Sequence, residues 1–280
     1  MITIFFILRD KLADRLTQLN LKALGAELAD VGGDIGIFTD VDGTLSEIED
    51  HPDLATVSSE MTDALTKLNH LYRLVVVVSG RRARDVQKIV DEPDLLYLGN
   101  HGLESRHKDK TIQRLDIKKI RGSLVAIKSE IETELAGDQG VFIEDKEFVL
   151  AVHYRRCPHE NVKKRIRALA AKLASEYGFL AQDGRQVTEI RPKSADKGRA
   201  ILELAREYGI KLVIYAGDDA TDVDAFKALK RASAAGDLRS VCLAVVHEES
   251  PADIKESADY WVESTDEVRR FFLWLAKIRQ

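Results

Sequence analysis

The hydrophobic positions change their spacing several times along the chain, and each change predicts an element. Leucines at 12, 16, 19, 21, 24 and 28 keep roughly helical spacing, which predicts an amphipathic helix over 9–28. The apolar run 35–38, with glycines at 32, 33 and 36, has the form of a buried strand. Apolar positions 61, 64, 65, 68 and 71 predict a helix over 58–71, capped by Ser58 or Ser59. The stretch 74–78 is nearly all valine and suits a central strand covered on both faces. A helix starting near Ser79-Gly80-Arg81 and running to residue 90 leads to a third short strand, 95–98. Strand, helix, strand, helix, strand is the rhythm of a parallel sheet.

Beyond residue 110 the rhythm breaks. A helix over 117–136, strands over 141–143 and 148–154, a helix over 162–177, and strands over 179–182 and 186–190 predict a small α+β unit with an antiparallel sheet. This unit reads as a second domain inserted at 110–192, leaving 1–109 and 193–280 as the core and 1–30 as an N-terminal helical extension. The parallel rhythm then resumes: a helix at 197–208, a strand at 212–216, a helix at 222–229, strands at 241–246 and 260–262, and a closing helix at 265–278. The expected fold class is α/β, a parallel-sheet core with an inserted α+β domain.

Composition narrows the partners. The 280 residues are 45% hydrophobic and 32% charged, ordinary for a soluble globular chain with a substantial core. Lys and Arg number 42 against 47 Asp and Glu, a net charge of −5, which gives no footprint for nucleic acid or an anionic membrane. The basic stretch 163–167 reads as a solvated helix face. Cys157 and Cys242 match no disulfide or zinc spacing and are expected as buried small hydrophobes in a reducing compartment. The opening run 2–8 is too short to span a bilayer and lacks the flanks of a signal peptide, so a cytoplasmic location is expected.

Chemistry concentrates where the predicted strands end. Asp40 and Asp42 stand two residues apart at the end of the first strand, followed by Gly43-Thr44. Ligands bind at the carboxyl ends of strands in parallel sheets. Crowded carboxylates there are either an acidic strand-to-turn junction or a cation site, for which oxygen-only ligands favour magnesium. Gly217-Asp218-Asp219, with Asp222 on the following helix, is likewise either a turn or the other half of that site. Ser79 and Gly80 sit where backbone N–H groups at a helix start can hold a phosphate, and Lys197 can supply a fixed positive charge. A cation, a lysine and a hydroxyl around one carboxylate suit phosphoryl transfer. One aspartate would attack the phosphorus, and the second would protonate the leaving alcohol and then deprotonate water.

These residues resemble the four motifs of the haloacid dehalogenase superfamily: DVDGT at 40–44, Ser79, Lys197 and GDDATD at 217–222. The resemblance narrows to trehalose-6-phosphate phosphatases through VVVVSGRR at 75–82, GNHGLE at 99–104, EDKEFVLAVHYR at 144–155, EIRP at 189–192, DKG at 196–198 and GDDATDVDAF at 217–226. It covers about 35–261. The resemblance implies a haloacid dehalogenase-like Rossmannoid core with a C2-type cap and an aspartyl-phosphate mechanism. In that reading Asp40 is the nucleophile and Asp42 the general acid/base. Magnesium is held by Asp40, the Asp42 carbonyl and Asp218, with Asp219 or Asp222 in support. Ser79 and Lys197 bind the phosphoryl group. Gly80, Arg81, His101, Glu144, Lys146, Arg155 and Glu189 match positions that hold the sugar or its phosphate. Val223 departs from the pattern, replacing a usual glutamate.

The implied partner is one small molecule, trehalose 6-phosphate, with no nucleic acid, no membrane, and a monomer preferred to an oligomer. Sucrose 6-phosphate or another sugar phosphate is the nearest alternative substrate, and a non-catalytic sugar-phosphate sensor is the alternative from another class. A receiver domain shares the clustered aspartates, hydroxyl and lysine but is far shorter and needs no cap. Each charged cap residue, read alone, is equally a solvated surface group.

Overall fold

Central strands that are apolar at both odd and even positions must be covered on both faces. The computed structural model, which describes residues 21–49, 51–113 and 117–280, shows how this chain covers them. The described chain opens with α1 (Leu21–Val31), β1 (Ile35–Thr39), α2 (Ser59–Leu71), β2 (Leu74–Val78), α3 (Ala83–Val90) and β3 (Leu96–Gly99). A hairpin of β4 (Glu104–His107) and β5 (Lys110–Gln113) follows. Next come α4 (Ile117–Glu134), β6 (Phe142–Asp145), β7 (Leu150–His153), α5 (Glu160–Tyr177), β8 (Phe179–Asp183) and β9 (Val187–Pro192). The remainder is α6 (Lys197–Glu207), β10 (Leu212–Gly217), α7 (Ala220–Ala234), β11 (Arg239–Val245), α8 (Ile254–Ser257), β12 (Tyr260–Val262) and α9 (Thr265–Lys277).

The larger sheet has the order β12-β11-β10-β1-β2-β3-β4-β5, and the smaller one β6-β7-β9-β8. Pairing is parallel from β12 through β3 and antiparallel for β4 and β5. Alternate residues divide between two apolar layers. Ile35, Ile37, Val75, Val77, Leu212 and Ile214 pack with Leu24 and Leu28 of α1, Leu65 of α2 and Phe272 of α9. Phe38, Val76, Val78, Val213 and Tyr215 pack with Ile201 of α6, Phe226 of α7 and Ile254 of α8. Full burial of one such side chain contributes about 1.5–3 kcal/mol, so these two layers fix the sheet and hence its strand ends.

The smaller sheet buries one face only. Leu150, Val152 and Ile190 pack on Leu124 and Ile127 of α4 and Ile166 and Leu173 of α5. Its register pairs Phe142 with His153, Glu144 with Ala151, Ala151 with Glu189, and Gln182 with Glu189. Phe142, Glu144, His153 and Glu189 therefore share the second face, which carries polar groups where the first carries leucine and valine.

The hairpin of β4 and β5 departs from the pattern expected from sequence. All four residues of β5 are exposed, so no apolar alternation marks it. Lys110–Gln113, inside the segment expected for the insertion, pairs with β4 at the edge of the larger sheet. The third strand ends one residue later than expected, at Gly99, and the helix after Ser79 starts at Ala83. Ser58 caps α2, its Oγ accepting from Met61 N at 3.3 Å. Of the helix expected over 9–28, the part before residue 21 and the run 2–8 lie outside the described residues. Both cysteines are buried and unpaired. Among the described residues no helix is long and apolar enough to cross a membrane.

Candidate active site

Parallel pairing sets Thr39 beside Ala216, and Asp40 N donates to Ala216 O at 2.8 Å. Asp40 and Asp218 thus leave neighbouring strands at the same end, despite lying far apart in sequence. After Asp40 the chain curls around the Val41 carbonyl, which accepts from the N–H groups of Thr44, Leu45 and Ser46 at 3.1, 2.8 and 2.9 Å. Gly43 enters this turn with φ +84°, and a Cβ there would strike the Asp218 carboxylate, so glycine is required for two reasons. His247, on the loop after β11, bonds the Gly43 carbonyl through Nε2 at 2.6 Å and braces the turn.

Lys197 is the first residue of α6, whose N-terminus Asp196 caps by accepting from Arg199 N at 2.9 Å. Its Nζ lies 2.8 Å from Asp40 Oδ1, 2.7 Å from Asp222 Oδ1 and 3.8 Å from Asp219 Oδ1. Burial alone would lower the Lys197 ammonium, but Asp219, Asp222 and Asp40 hold it well above its ordinary value. It is therefore a permanent cation.

Asp222 accepts from Lys197, from the Tyr215 hydroxyl, and from the backbone N–H groups of Asp218 and Asp219 at 2.8 and 3.0 Å. Asp219 caps α7, accepting from Asp222 N at 3.0 Å and from the Thr221 hydroxyl at 2.7 Å. Four donors on one carboxylate make Asp222 the organiser of the acidic loop.

Asp40, Asp218 and Asp222 are buried, and their nearest oxygens lie within 4.8 Å of one another. Burial, reinforced by the neighbouring aspartates, outweighs Lys197 and holds Asp40 well above the carboxylate range. Burial with Asp222 and Asp219 likewise outweighs Arg185 and pushes Asp218 up to about 8. Carboxylates this crowded repel one another, and an added cation relieves them. The set is all oxygen, which suits a hard divalent ion. The residues present fit a metal ion of that class.

Around this cluster, Arg81 grips both oxygens of Asp42, at 2.7 and 2.6 Å. Ser79, 1% exposed, accepts from Arg81 N through Oγ at 3.1 Å. Gly80 leaves room for the His101 ring, whose Nε2 would lie 2.8 Å from a Cβ at that position. The polar face of the smaller sheet closes over these groups. Glu189 accepts from Lys146 at 2.7 Å and contacts His101 Nε2 at 2.7 Å; Glu144 meets His153 at 2.9 Å. Burial would raise Glu189, yet Lys146 and His101 hold it well below the carboxylate range. Burial would lower Lys146, yet Glu189 and Glu144 hold it above its ordinary value. Arg155 pairs with Glu249 at 3.2 Å across the rim.

One cavity of about 360 Å³ is lined by Asp40, Asp42, Ser79, Gly80, Arg81, His101, Glu144, Lys146, Arg155, Glu189, Lys197 and Asp219. The structure thus brings the sequence-selected residues of both sheets to one space, while the fully buried Asp218 and Asp222 stand outside its lining. Val223 is 4% exposed within the apolar layer of Phe226 and Tyr215, where it packs as a core residue.

Sequence reasoning missed Arg185, Phe142 and His247, and read His153 only as part of a polar sheet surface. Arg185 lies in the turn between β8 and β9, and its guanidinium pairs with Asp218. Arg185 precedes β9 and Gln186 beside it has φ +53°, so the strand alternation that places Glu189 does not extend to it. Phe142, 50% exposed, stands with His51 and His153 at ring distances of 5.9 and 5.8 Å and lines the same cavity. His247 carried no sequence signal, because its partner is a backbone carbonyl.

The sequence model of the trehalose-phosphatase family matches residues 38–264. A trehalose-phosphate phosphatase of Mycobacterium avium is 37% identical over 202 residues, 69% of this chain and 51% of that protein. The trehalose-phosphate phosphatase of Mycobacterium tuberculosis is 34% identical over 223 residues, 76% of this chain and 56% of that protein. The chain spans about half the length of these curated relatives. Among solved structures, the C-terminal domain of the C. albicans trehalose-6-phosphate phosphatase superposes with a TM-score of 0.73 at 21% identity, covering 92% of this chain and 97% of that one. At that identity the likeness shows the fold, the haloacid dehalogenase type with its separate cap sheet.

Proposed function

The chain belongs to the trehalose-phosphatase family, and from that premise we propose that it hydrolyses trehalose 6-phosphate to trehalose and inorganic phosphate. The observation that carries the proposal is the meeting of Asp40, Ser79 and Lys197 with Glu144, Lys146 and Glu189 in one cavity. The first three suit a phosphoryl group, and the second three offer the converging hydrogen-bonding groups that a sugar requires.

Asp40 attacks the phosphorus and forms an aspartyl-phosphate as the sugar alcohol leaves. Lys197, fixed on Asp40 Oδ1, holds the nucleophile and offers a cation to the equatorial oxygens. Asp42 gives the leaving oxygen its proton and then takes one from the attacking water. Arg81 grips both Asp42 oxygens in this structure, so Asp42 reaches the leaving oxygen only once Arg81 turns to the substrate. Ser79 and Gly80, in the loop between β2 and α3, hold the phosphate. Asp40, the Asp42 carbonyl and Asp218 would hold magnesium, with Asp222 and Asp219 fixing that loop. Bound there, the ion would neutralise the crowded carboxylates and the charge developing on the phosphoryl oxygens.

The segment after the β4–β5 hairpin, 117–192, acts as a C2-type cap in this reading, with its Glu144, Lys146, Arg155 and Glu189, and His101 of the core, on the sugar. Support comes from the polar face of the smaller sheet, which meets the strand ends of the larger one. We place the protein in the cytoplasm as a monomer whose partner is this small molecule, with no nucleic acid or membrane bound, a reading consistent with its net charge of −5. Phosphate release from trehalose 6-phosphate, sucrose 6-phosphate and glucose 6-phosphate tests the proposal. Trehalose 6-phosphate is expected to be cleaved fastest; faster cleavage of sucrose 6-phosphate, or binding without cleavage, overturns it.

A further inference from the structure

Arg185 takes no part in the reaction just described, yet it reaches the acidic cluster from the smaller sheet. Its side chain is 13% exposed. Nη2 donates to the Asp218 carboxylate and, at 3.2 Å, to the Asp218 backbone oxygen. Nη1 would lie 2.8 Å from a Cβ placed on Gly43, so the guanidinium rests on the turn that follows Asp40. Nε is buried and has no hydrogen-bond partner among the described residues. A buried N–H without an acceptor is costly, and this one belongs to a residue lining the same cavity as Asp40 and Ser79.

We propose that Arg185 is a further phosphoryl-binding residue, supplied by the β8–β9 turn, which neutralises Asp218 until a divalent cation takes that carboxylate and then turns its guanidinium to the substrate phosphate. The inference rests on the phosphatase reading of the cavity. Its logic is charge and geometry. A guanidinium and a dication repel each other, so they compete for Asp218. Lys197 is already shared by Asp40 and Asp222, and Arg81 holds Asp42. Arg185 adds a third cation, and Nε with one Nη forms the fork that matches two phosphate oxygens. The site is then complete only with the turn of the smaller sheet in place over it.

Calorimetry on the full chain tests this without turnover. At pH 9, above the value of about 8 to which burial pushes Asp218, magnesium is titrated into the parent protein and Arg185→Gln, and then inorganic phosphate is titrated at saturating magnesium. Arg185→Gln is expected to bind magnesium several-fold tighter, because the competitor for Asp218 is gone, and phosphate at least about tenfold weaker, because a charge-assisted pair is lost. Arg185→Lys, which keeps the charge without the fork, is expected to fall between the two in phosphate affinity and serves if the glutamine variant folds poorly. Unchanged or weaker magnesium binding, or unchanged phosphate binding in either variant, overturns the proposal, as does a parent protein that binds magnesium but no phosphate. A failure of the substrate reading shows elsewhere, as a parent protein that binds phosphate and magnesium in this pattern yet does not cleave trehalose 6-phosphate.

Discussion

On the larger sheet, Asp40, Ser79, Lys197 and Asp218 stand at the ends of strands and at the start of a helix. On the smaller sheet, Glu144, His153 and Glu189 stand at alternate positions along antiparallel strands. The first set is 4% exposed or less, and its positions follow from backbone register and two apolar layers. The second set covers one face of a sheet whose other face is leucine, valine and isoleucine; Glu144 is bonded to His153, and Glu189 to Lys146. Strand-end groups have little freedom to move, which suits bond-making steps that need fixed geometry. Groups on an open sheet face share their load, which suits recognition of a sugar by several graded contacts. Substitutions on the larger sheet should therefore act on the chemical step and on stability, and substitutions on the smaller sheet on binding.

The largest effect is expected at Lys197. Lys197→Met removes the cation shared by Asp40 and Asp222 and leaves buried carboxylates unpaired. Loss of turnover together with about 3–5 kcal/mol of stability is expected, read by phosphate release and urea unfolding of cation-free protein. Asp42→Asn separates chemistry from stability, because Asp42 is half-exposed and bonded to Arg81. Its kcat is expected to fall about 10²- to 10⁴-fold with little change in melting temperature. Glu189→Gln sharpens the other side of the contrast. It weakens the ties to both Lys146 and His101, and is expected to raise KM about tenfold while changing kcat less. A variant of Glu189 that lost kcat alone would break the division between the two sheets.

Much of the larger sheet was legible because buried parallel strands are continuous apolar runs, as in Leu74–Val78, and because acids stand where such runs stop. Asp40, Ser79 and Asp218 stand where such runs stop, and Lys197 at the start of a helix. That they converge is a matter of strand order, which the resemblance to a known family implied and the pairing of β1 with β10 realises. The edge hairpin β4–β5 was not legible, since an exposed strand carries no apolar alternation. Arg185 and His247 were missed for different reasons. Arg185 sits in a turn, where strand alternation no longer fixes the direction of a side chain, and His247 acts on a carbonyl that any residue would present.

A smaller effect links the cation cluster to pH. With Asp218 pushed up to about 8, the folded, cation-free protein retains a proton that the unfolded chain has released above about pH 4. This group's contribution to stability therefore falls as pH rises from about 4 to about 8. A bound divalent ion displaces that proton, so magnesium affinity should rise by up to about tenfold per pH unit below about pH 8 and then level off. Melting temperature with and without magnesium, followed across that range, should show a gap that widens with pH. A gap independent of pH contradicts the crowding of carboxylates on which the cation assignment rests.

The central claim is that Asp40 attacks phosphorus, and phosphate release from trehalose 6-phosphate by Asp40→Asn tests it most directly. The variant keeps the shape of the side chain, so it is expected to fold and to retain the circular dichroism spectrum of the parent. Release at least about 10³-fold slower than the parent is the expected result. A folded Asp40→Asn that releases phosphate at near the parent rate contradicts the account.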